Sequence, residues 1–358
     1  MYNLKEKLTV AMYVAGLSAS QIVGLWERFD TPDKLLNGID KASDILDCKQ
    51  LATVKKHLKD TFVAKYFNKL AQDNILCVTY YSENYPETLK NISDPPIVLF
   101  ARGNVGLLKS KCFAVVGTRK LSNYGKRVTM NFTSELARYF TIVSGLAYGA
   151  DSVAHTITLD NNGKTIAVLG SGLNNIYPST NRGLAERIAM SGSLIISEFL
   201  PDAPPLAFHF PRRNRIVSAL SVGLLVTEAP EKSGTLGTVN LALDQGRDVY
   251  VVPGEIYASG FKGSNNLIKS LQGCMVTSPS DILSHYNFTP RQKVTVQLNI
   301  EEQAIVDLLS QDKMNFDDLL VSTGFSVSTL NFLLANLELR SIIAKLPGNF
   351  YCLDGGNR

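Results

Sequence analysis

A chain of 358 residues, 45% hydrophobic and 19% charged, has the length for two or three domains with packed cores and is neither fibrous nor disordered in composition. Its formal net charge of +4 is unevenly placed, because residues 296–358 hold four basic and eight acidic residues; the body is basic and suits anionic partners, and the last segment does not. Residues 1–20 lack the apolar run of a signal peptide, no stretch approaches the roughly 20 apolar residues of a membrane span, and five scattered cysteines without C-x-x-C spacing point to a reducing cytoplasm and away from a zinc site.

Residues 1–72 read as helices. Apolar side chains recur at spacings of three and four through Leu8, Met12 and Leu17, and again through Ile22, Leu25, Trp26 and Phe29. Ser18 and Ser20 are candidate N-caps, and Asp30-Thr-Pro-Asp33 opens another helix. The turn Ala15-Gly-Leu-Ser18 resembles that of helix-hairpin-helix and SAM-like modules; a plain helical bundle explains it equally well.

Residues 73–288 read as an extended Rossmann-like α/β domain. Strands at 75–79 and 97–101 bracket the punctuation of Tyr85-Pro86 and Asp94-Pro-Pro96. Five apolar runs follow, at 113–117, 141–145, 165–170, 224–228 and 249–254, each ending at or leading into a glycine-containing turn. Helices are expected at 123–139, 149–160, 181–191, 212–220, 236–246 and 264–271. Nearly continuous apolar strands alternating with helices predict a parallel sheet covered on both faces. The polar segment 287–296, with Pro290, reads as a linker. Beyond it, helices at 300–310, 315–322 and 326–339 and a hairpin over 341–353 describe a winged helix-turn-helix at 296–358. The third of these helices contains no Lys or Arg, whereas a helix entering the major groove brings basic residues to the phosphates. A protein-contact or autoregulatory role is expected of it, with DNA at most secondary.

Turns at the C-terminal ends of parallel strands are where open α/β sheets bind ligands, and their backbone amides favour anions. Around these turns stand Thr118, Arg119, Ser122, Arg212, Arg213, Arg215, Ser233 and Thr235, hydroxyl and guanidinium groups suited to phosphate. Tyr124, Tyr148, Tyr177, Phe208 and Phe210 are available to stack bases. The enzyme templates each lack a residue. Gly170-Ser-Gly172 begins a dinucleotide motif, but position 175 is Asn. Gly117 and Gly125-Lys126 are too far apart for a P-loop, and Arg127 follows where a metal-binding hydroxyl is needed. Ser144, Asp151 and His155 lack the elbow of a serine hydrolase; Asp151 as helix compensation and His155 as a local hydrogen-bonding group is the favoured reading. Ser233-Gly-Thr-Leu-Gly-Thr238 resembles the phosphate loop of phosphoribohydrolases, with Leu241 where their glutamate stands.

Taken in order, Tyr85-Pro, Asp94-Pro-Pro, Val116-Gly-Thr-Arg119, Ser122-Asn-Tyr-Gly125, Ser144-Gly-Leu-Ala-Tyr-Gly-Ala-Asp151, Tyr177-Pro178, Phe210-Pro-Arg-Arg-Asn-Arg-Ile216, Ser233-Gly-Thr-Leu236 and Val252-Pro-Gly254 resemble the DNA-processing protein A (DprA/Smf) family. The resemblance implies a single-stranded DNA-binding protein that dimerises through its Rossmann domain, protects incoming DNA in natural transformation and loads RecA onto it, with no catalytic residue, cofactor or metal. Gly117, Thr118, Arg119 and Ser122 match the family's G-S-R-x-x-S phosphate motif, with threonine for its serine. Arg182 stands near a basic pocket position. Gly145, Gly170, Arg212, Asn214, Arg215, Ser233 and Gly234 complete the expected nucleic-acid site. Ala150 replaces an isoleucine of the family pattern, and Leu271-Gln-Gly-Cys274 departs from it near the expected dimer surface. The alternative is a nucleoside-monophosphate-binding enzyme related to the phosphoribohydrolases.

Overall fold

The computed structural model describes residues 2–288, 298–340 and 342–353, which fall into two compact units, Met1–Phe288 and Thr289–Arg358. The expected linker lies, from residue 289 onward, outside the described residues.

The first unit opens with five helices: α1 (Leu4–Val14), α2 (Ala19–Phe29), α3 (Pro32–Gly38), α4 (Cys48–His57) and α5 (Asp60–Gln72). Their starts are set by side-chain caps. Asn3, Ser18 and Asp47 each accept an amide of the first turn in a capping box, and Thr31 caps α3 with Pro32 behind it. Then come β1 (Leu76–Thr79), α6 (Glu87–Lys90), β2 (Val98–Gly103), β3 (Cys112–Val116), α7 (Asn123–Leu136), β4 (Thr141–Ser144), α8 (Ala150–Asp160), β5 (Thr165–Val168), α9 (Arg182–Met190), β6 (Leu194–Ser197), α10 (His209–Leu220), β7 (Ser221–Val226), α11 (Gly234–Asp244), β8 (Asp248–Val251), α12 (Lys262–Lys269), β9 (Cys274–Met275) and α13 (Pro279–His285).

One nine-stranded sheet runs β1-β2-β6-β5-β4-β3-β7-β8-β9. It is parallel from β6 to β9 and antiparallel where β2 meets β1 and β6. The strands expected at 75–79 and 97–101 therefore extend the sheet at one edge. Successive residues of β3 divide between its faces. Phe113 and Val115 pack with Phe132 and Leu136 of α7 and Ile282 of α13, while Ala114 and Val116 pack with Ile216 of α10 and Val239 of α11. A third cluster joins Leu8, Met12 and Trp26 of the opening helices to Phe100, Ala167 and Ile195 of the sheet. Burial of a side chain such as Phe100, which is 0% exposed, contributes about 1.5–3 kcal/mol. The helices of 1–72 are therefore a layer on the sheet, not a free-standing domain. Two hydrogen bonds reinforce it: the Cys77 amide donates to the Tyr2 hydroxyl at 2.8 Å, and the Tyr13 hydroxyl to the Glu198 carbonyl at 2.5 Å. At the β1 edge the Thr79 amide also donates to Ser82 Oγ, at 2.9 Å.

The second unit contains α14 (Ile300–Gln311), β10 (Met314–Asn315), α15 (Phe316–Thr323), α16 (Val327–Leu339), β11 (Ile343–Leu346) and β12 (Phe350–Leu353), with sheet order β10-β12-β11. Gly324, at φ 68°, makes the left-handed turn between α15 and α16. Leu319, Leu330, Leu333 and Leu337 fill the core, which is the expected winged helix. Among the described residues no single helix is long and apolar enough to cross a membrane.

Candidate nucleic-acid interface

From β3 the chain lays β4, β5 and β6 to one side, and β7, β8 and β9 to the other. The reversal lies between β3 and β7. There α7 departs toward one face and α11 toward the other, which opens a crevice at the carboxyl ends of the strands. The turns around it are stitched together. The Thr118 amide donates to the Glu228 carbonyl at 2.8 Å, the Thr227 amide to the Val116 carbonyl at 3.2 Å, and the Ala150 amide to the Thr118 carbonyl at 3.2 Å. Gly117, Thr118 and Arg119 thus sit on a braced turn and not on a loose loop.

Arg119 is exposed, and among the described residues it has no carboxylate partner. Its guanidinium lies 5.8 Å from the centroid of the Phe210 ring, which in turn lies 5.6 Å from Tyr177. Gly170 makes room for this arrangement, since a Cβ there would stand 2.7 Å from the Phe210 ring. Tyr148, Tyr177 and Phe208 are exposed. Cation and aromatic surface are therefore presented side by side, the combination that single-stranded nucleic acid needs for its phosphates and bases.

Arg213 lies beneath the turns. It is 5% exposed. Its Nη1 donates to the carbonyls of Gly145, at 2.6 Å, and Val168, and its Nε to Asn214 Oδ1 at 3.1 Å. Asp151 accepts the Gly145 and Ala147 amides at 3.1 and 3.3 Å. Burial pulls the Arg213 guanidinium down to about 10, opposed by Asp151 and assisted by Arg119. Burial also pushes the Asp151 carboxyl up, opposed by Arg213. Both groups hold the floor of the site. His155 is fully buried with Nδ1 2.7 Å from Thr165 Oγ1, and Ser144 donates to the Val115 carbonyl at 2.7 Å. Ser144 also hydrogen-bonds the Asp151 carboxyl, whereas His155 is engaged elsewhere, so the three residues of the hydrolase template do not form one relay.

Arg182, exposed, is the first residue of α9; the preceding Asn181 donates to the Leu146 and Ala147 carbonyls at 2.9 and 3.3 Å, which ties that helix start to the β4 turn. Ser233 caps α11 by accepting the Thr235 amide at 3.2 Å, and Gly234 has open space before it. Ser122 caps α7, and its hydroxyl is engaged on both sides, accepting from the Gly125 amide at 2.9 Å and donating to Glu228 at 2.8 Å.

Arg212 and Arg215 part company with this group. Arg215 grips Glu198 at 2.7 and 3.0 Å and Asp94 at 3.1 Å. Arg212 lies 3.5 Å from Glu198 and 4.0 Å from Asp94. Arg212 and Arg215, on one turn of α10 and expected in the nucleic-acid site, are both engaged by acids: Glu198 is buried and Asp94 half exposed, and Arg212 lines a cavity of 590 Å³ against Tyr13 and the start of α2. Sequence reasoning gave no site role to Glu228, which closes the apolar run 224–228 two residues past β7; a carboxylate at that position was the available signal. Among the described residues no group of three His, Cys, Asp or Glu side chains is placed to hold a metal ion.

Comparison with known proteins shows the family. Residues 76–287 match the family model described as DNA recombination-mediator protein A, and residues 289–349 match the DprA winged helix domain. The chain is 38% identical over 292 residues to DNA processing protein DprA of Streptococcus pneumoniae, covering 80% of this chain and 98% of that one. It is 40% identical over 301 residues to Protein Smf of Escherichia coli, covering 78% of each. The solved structure of DNA processing protein A from Streptococcus pneumoniae superposes with a TM-score of 0.69 at 35% identity, over 80% of this chain and 99% of that chain. A structure of DNA processing protein A from Helicobacter pylori, which concerns that protein's single-stranded DNA binding mode, superposes with a TM-score of 0.54 at 30% identity, over 60% of this chain and 95% of that chain. The chain belongs to the DNA recombination-mediator protein A family, the DprA/Smf proteins.

Proposed function

We propose that this protein binds single-stranded DNA along the crevice between β3 and β7 and mediates its recombination without cutting it. The observation that carries the reading is Arg119: an exposed guanidinium on a braced turn, without a carboxylate partner among the described residues, over the Phe210 ring. A phosphate takes the guanidinium, and a base of the same strand takes the aromatic surface. Several such contacts release counterions, so affinity falls steeply with salt and depends little on base sequence. In this reading the strand passes to the RecA recombinase in the cytoplasm, and two copies joined through their first units share one strand, which raises avidity. Membership of a family of recombination mediators supports it. The nucleoside-monophosphate alternative would need an acid where α11 carries Leu241.

Arg119→Ala tests the reading. Loss of one charge-assisted bond weakens oligonucleotide binding by about 1–3 kcal/mol and lowers the slope of affinity against salt. A fluorescence titration with unchanged affinity would remove Arg119 from the site. Released base after incubation with AMP would favour the alternative.

A further inference from the structure

Two residues beyond β7 the chain carries a buried acid. Glu228 is 3% exposed, and among the described residues its carboxylate forms no ion pair. Its Oε2 instead accepts the Ser122 amide at 3.0 Å and the Ser122 hydroxyl at 2.8 Å. Ser122 is the N-cap of the 14-residue α7. A Cβ on Gly125 would fall 1.9 Å from the same oxygen, and one on Gly260 would fall 2.7 Å from the other, so two elements are shaped around this carboxylate. In nucleotide-binding α/β folds the helix start after a strand at the crevice receives a phosphate. Here an anion of the chain itself already occupies it. The Ser122 hydroxyl has one proton, and that proton goes to Glu228.

We propose that Glu228 is a specificity residue, which makes the cradle reject terminal phosphate groups and accept the internal phosphodiesters of a strand. The inference rests on reading the cradle as a phosphate site. A phosphate monoester carries about −1.5 to −2 charges at neutral pH and would lie closest to the α7 start, against a fixed negative charge in a poorly solvated position. A diester carries a single charge and is held from outside by Arg119, with neighbouring phosphates sharing the contact. Repulsion by Glu228 therefore falls more heavily on free phosphate and mononucleotides than on a polymer.

Glu228→Gln in the full chain keeps an oxygen to accept from Ser122 and removes the charge. The probes are inorganic phosphate, AMP and an unphosphorylated oligothymidylate, each titrated into wild type and variant. The variant is expected to gain at least about tenfold in affinity for AMP and phosphate, and its preference for the oligonucleotide over AMP is expected to fall by at least about threefold. No gain for AMP, or an equal gain for the oligonucleotide, overturns the proposal. Should the variant fail to fold, wild type decides: amide signals of Ser122 and Gly125 that stay fixed with about 10 mM phosphate present support the exclusion, and a saturable shift refutes it. A wild type that binds no oligonucleotide would count against the DNA reading, separately from the AMP comparison.

Discussion

Arg215→Ala removes the guanidinium that holds Glu198 through bonds of 2.7 and 3.0 Å and Asp94 through one of 3.1 Å. The Glu198 side chain is 3% exposed and that of Arg215 is 9% exposed, so the lost partner cannot be replaced by bulk water. Breaking a buried pair on one side costs about 3–5 kcal/mol, because the remaining charge stays buried. Arg212 is already 3.5 Å from the same carboxylate and 53% exposed, free to move closer. It recovers part of the loss and puts the expected cost at the lower end, about 3 kcal/mol. At about 2–4 °C per kcal/mol for a unit of this size, Tm falls by about 6–12 °C. The assay pairs calorimetric unfolding of the full chain with an oligonucleotide titration well below the variant's Tm. Stability should fall while affinity stays within about twofold. A variant with unchanged Tm and binding weakened more than about tenfold would mean that Arg215 serves DNA and that its contact with Glu198 is incidental. Replacing the pair together, as Arg215→Met with Glu198→Gln, should restore part of the lost stability, since no buried charge is then left unpaired and Asp94 is half exposed.

Two further expectations concern the remaining parts of the chain. His155 is buried and neutral, held at about 3 by desolvation and by Arg213 against an ordinary 6.5. Between those values the unfolded chain binds a proton that the folded one refuses. Stability is thus fully present above about pH 6.5 and falls by about 1.4 kcal/mol per unit as pH drops. His155→Gln should flatten urea-unfolding free energies between pH 6 and 4, and equal slopes for both proteins would contradict this. Deleting residues 292–358 should leave oligonucleotide affinity within about tenfold, or 1.4 kcal/mol, because α16 carries no Lys or Arg and exposes Val327, Phe332 and Leu339 instead. A larger loss by anisotropy titration would assign the winged helix a direct part in binding.

Much of the scaffold was legible because its signals are local. The helix expected from residue 123 begins at Asn123, where Ser122 caps it, and those expected at 149–160 and 181–191 lie within a residue of α8 and α9 at each end. β6 escaped notice for a physical reason: it ends in Ser197-Glu198, so a search for glycine-terminated runs passed over Leu194, Ile195 and Ile196. The arginines of α10 show where sequence reading stops. Their spacing separates Arg213 from Arg212 and Arg215, which share a face at i and i+3. It does not say that the shared face meets Glu198 from the end of β6 and Asp94 from before β2. Those acids arrive by tertiary packing, and they engage in ion pairs two arginines that the sequence offers to phosphates. Glu228 was hidden likewise, since its partner Ser122 lies far away along the chain.

The two edges of the large sheet differ in what they offer a second strand. On β1 the outward amides of Cys77 and Thr79 are engaged by the Tyr2 hydroxyl and Ser82 Oγ, so that edge has few donors left to template pairing. β9 is two exposed residues, and among the described residues no strand lies beyond them. Strand addition therefore has a single open end. A second copy that joined there would use up both open ends and turn a closed β1 outward on each side. Edge-to-edge growth through the large sheet then stops at two copies.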